Sequence, residues 1–114
     1  PRTSSDWAQL WEWADTEGST AARRLVPTPM YLVGCEPIAD GEVGWALVRV
    51  RDARRGLARW LLRQRLAVKD SNHGAVVLRH DPSHSVERAG DWARAVVQVI
   101  LLNGLGADCE IHLD

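Results

Sequence analysis

Phenylalanine is missing from this chain, and lysine nearly so: Lys69 stands alone among fourteen basic residues. Cysteine is scarce. Cys35 and Cys109 are too few for a disulfide framework, and both sit in apolar, strand-like stretches where a free thiol acts as a small hydrophobe. No long apolar run occurs. The longest, residues 95–97 and 99–102 around Gln98, falls well short of the roughly 20 residues a membrane span needs. No leader segment is visible either, so no membrane partner is expected and the cytoplasm is the default location. A formal net charge of −1 removes any global field that would mark a nucleic-acid or membrane binder. Walker loops, GxSxG elbows, CxxC pairs and helix-spaced catalytic carboxylates are absent, and nothing points to a cofactor.

What is present suits one globular domain covering residues 1–114, whether or not a longer protein surrounds it. A hydrophobic share of 46% is ordinary for such a domain, and a chain of 114 residues can bury a real core. Six tryptophans and the arginine excess are the compositional oddities. Both residue types concentrate where proteins bind partners.

Along the chain, Asp6 and Gln9 read as a capping box that opens a helix over 6–17, with Trp7, Leu10, Trp11 and Ala14 on one face and Gly18 as its stop. Residues 30–35 read as a strand, Asp40-Gly41 as a hairpin turn, and residues 43–51 as a second strand. Asp52 is placed to cap a helix running to Ala67, with residues 69–74 as the loop beyond. Residues 75–80 make a third strand. Asp81, Pro82 and Ser83 open a long helix over 84–103, which Gly104 ends, and residues 109–113 close the chain as a strand. The fold class is therefore α/β, α+β-like, in the order α-β-β-α-β-α-β. A four-stranded mixed sheet of order 1-2-3-4 is expected. Its first two strands form an antiparallel hairpin at one edge, and two crossover helices make the last three parallel.

Charge is segregated. Residues 1–44 carry three arginines against seven acids, a net −4. Residues 45–69 carry eight cations against Asp52 alone, a net +7. Residues 70–114 return to three against seven, again −4. Within the basic block Arg55, Arg59 and Arg63 recur at i, i+4, i+8, a spacing at which like charges repel. Something must compensate for them. The candidates are the acids Glu12, Asp15 and Glu17 of the first helix, solvation by water, an acidic protein surface, or nucleic acid. The last is the less favoured partner, because Trp45 and Trp60 fit core positions better than base-stacking ones.

A second candidate site follows from the expected parallel sheet. Its carboxyl edge would bring Arg54 and Arg55 together with His80, Ser83 and His84 at two helix N-termini, a pocket for a phosphate or carboxylate. His73, His80, His84 and His112 supply no metal-binding spacing, although His112 would approach His80 if their strands were neighbours. Residues 50–62, Val-Arg-Asp-Ala-Arg-Arg-Gly-Leu-Ala-Arg-Trp-Leu-Leu, resemble the phosphate-binding strand–loop–helix of the acetyl-CoA-dependent N-acetyltransferases. The segment is two residues short of that pattern, has Ala58 where a further glycine belongs, and is followed by no other feature of the family.

The leading functional expectation is a non-catalytic interaction or regulatory module that binds a protein partner or a second copy of itself. Trp13 is the suggested anchor, since it falls about 120° from the apolar face of the first helix at about 100° per residue. An anion-binding domain or enzyme at the sheet edge is the alternative, followed by nucleic-acid binding through residues 45–69.

Overall fold

The computed structural model describes residues 2–24, 44–71, 74–81 and 85–113. In order, the elements are α1 (Ser4–Arg24), β1 (Gly44–Val50), α2 (Gly56–Arg63), β2 (Val68–Lys69), β3 (Ala75–Arg79), α3 (Val86–Leu102) and β4 (Ala107–Leu113). The expected strand over 30–35 and its hairpin turn lie outside the described residues.

Helix α1 begins earlier and ends later than the sequence signals suggest. Its capping box is Thr3 with Asp6, not Asp6 with Gln9. The Thr3 N–H donates to Asp6 Oδ2 at 2.8 Å, and the Asp6 N–H donates to Thr3 Oγ1 at 3.3 Å. The Thr3 N–H, followed by the Thr3 hydroxyl, holds the Asp6 carboxyl below its ordinary range. Gly18 does not stop the helix. It is buried mid-helix, where a Cβ would lie 2.6 Å from Trp92 Cδ1, so the glycine allows α1 to press against α3. Leu10, Ala14, Gly18 and Ala22 form the buried stripe of this contact.

Helix α2 is shorter than expected at both ends. Asp52 is not its cap: it takes a left-handed conformation (φ 64°), and Arg55 occupies the N-cap position without a side-chain bond. At the other end Arg65, also left-handed (φ 60°), closes a Schellman turn. The Leu66 N–H bonds to the Leu61 carbonyl at 3.0 Å and the Arg65 N–H to the Leu62 carbonyl at 3.1 Å. Helix α3 is capped by Ser85, whose Oγ accepts from the Arg88 N–H at 3.3 Å, and is followed by Gly104 at φ 77°, the expected stop.

The expectation of helices with a four-stranded sheet holds, but the strand directions and order differ. The order is β2-β3-β1-β4, and every neighbouring pair is antiparallel. A helical crossover joins parallel strands without requiring that they be neighbours. Here β3 and β4, joined through α3, run parallel with β1 inserted between them. The strands β1 and β2, joined through α2, run parallel with β3 between them. After α1, the chain thus has the β-α-β-β-α-β, split β-α-β arrangement of ferredoxin-like domains.

Both crossover helices cover one face of the sheet. Ala46, Val48 and Val50 of β1 and Ala75 and Val77 of β3 share a core with Leu57 and Leu61 of α2 and Trp92, Val96 and Ile100 of α3. Helix α3 is also covered by α1, which explains why residues on several of its sides are buried. The other face of the sheet carries Trp45, Leu47 and Arg49 from β1, in register with His112, Glu110 and Asp108 of β4. None of the described helices is long and apolar enough to cross a membrane.

Candidate functional site

The described members of the expected anion pocket, Arg54, Arg55 and His80, do not come together. Because β1 and β3 are antiparallel, with Val50 opposite Ala75 and Ala46 opposite Arg79, their carboxyl ends lie at opposite ends of the sheet. Arg54 and Arg55 follow β1 at one end, and His80 follows β3 at the other. Ser83 and His84 lie outside the described residues. Arg54 and Arg55 turn onto Asp52, with Nε–carboxylate distances of 3.6 and 2.7 Å. The Arg55 hydrogen bond leads the effects that hold Asp52 below the usual carboxylate range.

His80 and His112 are not neighbours either. Trp45 stands between them on the outer sheet face, its ring stacked on His112 at 4.3 Å and 12° and on His80 at 5.9 Å and 30°. Below this aromatic row Arg49 gathers three carboxylates: Asp70 at 2.8 Å, Asp108 at 2.9 Å and Glu110 at 3.2 Å. The Glu110 hydrogen bond is the main reason the Arg49 guanidinium is held even more firmly charged than usual. Glu110 is lowered by hydrogen bonds from His112 and Arg49. Burial pushes Asp70 up, but the hydrogen bond and charge of Arg49 outweigh it and leave the group lowered. This network ties β1, β4 and the β2–β3 turn together, and Arg51 adds a second guanidinium 3.6 Å from Asp108. Among the described residues no cluster of three or more His, Cys, Asp or Glu could hold a metal. Burial pushes the Cys109 thiol up, which leaves it a poor nucleophile.

The second set of candidates does converge. Arg55, Arg59 and Arg63 line one wall of a cleft of about 370 Å³ between α2 and the start of α1. Arg2 and Trp7 come from the α1 side, and Trp60 completes it. Three local features build the cleft. Gly56, left-handed at φ 65°, starts α2 against the Trp7 ring, which lies at ordinary contact distance, 3.7 Å, from where a Cβ would be. Trp60 donates its indole N–H to Ser4 Oγ at 3.1 Å, joining α2 to α1. Arg2 places its guanidinium 5.1 Å from the centre of the Trp7 ring.

Among the described residues no acidic side chain lines this cleft. From α1, Asp6 reaches Arg2 alone of these arginines, and Asp15 does not turn to the arginines of α2: it accepts from the Trp92 indole at 3.0 Å, in the α1–α3 contact. Arg55 has Asp52, whereas Arg59 and Arg63 form no ion pair among the described residues. The helical spacing of the three arginines was the signal that found this wall. Arg2 and Trp7 gave none, because they are about 50 positions away in sequence and only the α1 packing brings them in. Trp13, the proposed anchor, is 48% exposed on the far side of α1's buried stripe. Comparisons of the chain with family models, curated proteins and solved structures return no match.

Proposed function

We propose that this protein is a non-catalytic interaction module that grips an acidic segment of a partner protein in the α1–α2 cleft. The observation that carries this reading is the wall of Arg55, Arg59 and Arg63 joined by Arg2, with no acid among its described lining residues. Arg55 is answered by Asp52 and Arg2 lies over Trp7, but Arg59 and Arg63 have no such partner among the described residues, and a carboxylate-bearing occupant relieves their repulsion while gaining charge-assisted, bidentate hydrogen bonds. One turn of α2 separates successive arginines, so carboxylates at one-turn spacing on a partner helix would meet them in step.

Nucleic acid is the weaker fit. Single strands are held by free aromatic faces interleaved with cations. Here the Trp7 face carries Arg2, and the Trp60 indole N–H is taken by Ser4. The chain's acidic remainder would also repel a long polyanion.

The test uses a fluorescein-labelled oligo-glutamate peptide as the probe, with anisotropy as the readout. Binding is expected at low salt, to weaken as salt rises, and to fall at least tenfold when Arg55, Arg59 and Arg63 are replaced together by Gln. Equal binding by the triple variant, or stronger retention of a single- or double-stranded oligonucleotide than of the peptide, would overturn the reading.

A further inference from the structure

Strand β4 is an edge, and among the described residues no strand pairs with its outer side. The opposite edge of the sheet, β2, is two residues long and carries Lys69, the usual way of blunting an edge. The seven residues of β4 have no proline and no lysine, and their two carboxylates, Asp108 and Glu110, are drawn inward onto Arg49. Its helix-side row is apolar and open: Ile111 is 39% and Leu113 64% exposed. Leu101 of α3 is exposed as well. Residues 90, 94, 97 and 101 make one stripe of that helix, which faces β4 where Gly90 approaches the Ile111 side chain.

We infer that the protein forms a two-fold dimer by antiparallel pairing of β4 with β4 of a second copy, centred on Ile111. The backbone narrows the registers. The Arg51 N–H bonds to the Gly106 carbonyl at 3.1 Å, so along the ladder Arg49–Asp108, Leu47–Glu110 and Trp45–His112 are the bonded pairs. The N–H and C=O groups of Cys109, Ile111 and Leu113 therefore point away from β1, toward a partner. With the axis at Ile111, these outward groups meet one another. Ile111 then lies opposite its own copy, Cys109 opposite Leu113, and Glu110 opposite His112.

Charge and length decide among the rest. An axis at Cys109 sets Asp108 against Glu110, one at Glu110 sets that carboxylate against itself, and one at His112 leaves only residues 111–113 of each strand to pair. Only the Ile111 axis sets a carboxylate opposite a hydrogen-bonding imidazole on the outer row and apolar side chains opposite one another on the inner one. Within each copy His112 Nε2 already lies 3.1 Å from Glu110 Oε2, so the dimer alternates two imidazoles with two carboxylates. Arg94, the cation nearest this edge of α3, is answered by Asp91 at 3.2 Å and does not oppose the pairing. A sheet of eight strands results, with both α1–α2 clefts left open.

Sedimentation equilibrium is expected to show twice the 12.7 kDa chain mass. Ile111→Pro should return the protein to monomer with its far-UV circular dichroism unchanged, because the N–H it removes faces away from β1. As a second variant, Ile111→Cys in a Cys35→Ser, Cys109→Ser background should form a disulfide-linked dimer on mild oxidation. Bonded antiparallel residues lie about 5.5 Å apart at Cα, within disulfide reach. A monomer at all concentrations up to millimolar, a dimer that survives Ile111→Pro, or failure of the Ile111→Cys chains to cross-link would overturn the inference.

Discussion

The indole of Trp92 occupies the space that a side chain on Gly18 would take: a Cβ there would sit 2.6 Å from Cδ1 and 2.9 Å from Nε1. Trp92 cannot retreat, since it is almost fully buried and its indole N–H is bonded to Asp15. Gly18→Ala is therefore expected to destabilise the protein even though alanine is the better helix former by about 1 kcal/mol. Overpacking of this kind costs about 1–3 kcal/mol, which for a domain of this size lowers the melting temperature by several degrees per kcal/mol. Calorimetry would decide, and an unchanged or higher melting temperature would show that α1 does not press on α3 as described.

Trp13 belongs to the same helix but not to the same contact. Truncation to alanine is expected to move stability by no more than about 0.5 kcal/mol, the range of an exposed position. A loss comparable to that of a core tryptophan, about 3–5 kcal/mol, would place Trp13 in the core instead.

Arg65 closes α2 in a conformation that costs a residue with a side chain about 1–2 kcal/mol. Arg65→Gly should raise thermal stability, offset in part by the greater freedom glycine gives the unfolded chain. A lower melting temperature would contradict the Schellman geometry at Leu61–Leu66.

Acid should act through the Arg49 network. Asp70 and Glu110 are held below their ordinary values of 3.8 and 4.5. Groups lowered by folding contribute stability that is complete above those values and is lost as the pH falls through the depressed folded ones. Denaturant midpoints are therefore expected to hold between pH 7 and pH 5 and to drop below about pH 4. Arg49→Gln should be less stable at neutral pH and show a shallower acid loss, since its carboxylates would no longer gain from ionisation. A variant whose acid loss is as steep as the parent's would remove the network from the account.

Helix and strand content was legible where local chemistry decided it. The cores of β1, β3 and β4 stood out as short apolar runs, and Gly104 marked the end of α3. What was not legible depended on partners distant in sequence. Gly18 reads as a stop until Trp92 is placed beside it, and Arg65 gives no sign of a left-handed cap because glycine normally takes that role. Strand direction differs from expectation because each helical crossover skips over a neighbour, and this separates Arg54 and Arg55 from His80. At the cleft, the spacing of Arg55, Arg59 and Arg63 was visible in the sequence, whereas the wall built by Arg2 and Trp7 was not.

The proposed grip on an acidic partner is tested most directly by locating where the acidic probe binds. Each of the six tryptophans gives its own indole N–H signal in a proton–nitrogen spectrum of the labelled protein. On titration with oligo-glutamate at low salt, the signals of Trp7 and Trp60 should move together with the backbone amides of α2, while those of Trp45 and Trp92 stay in place. Movement confined to Trp45 and the outer sheet face, or no movement at all, would contradict the account.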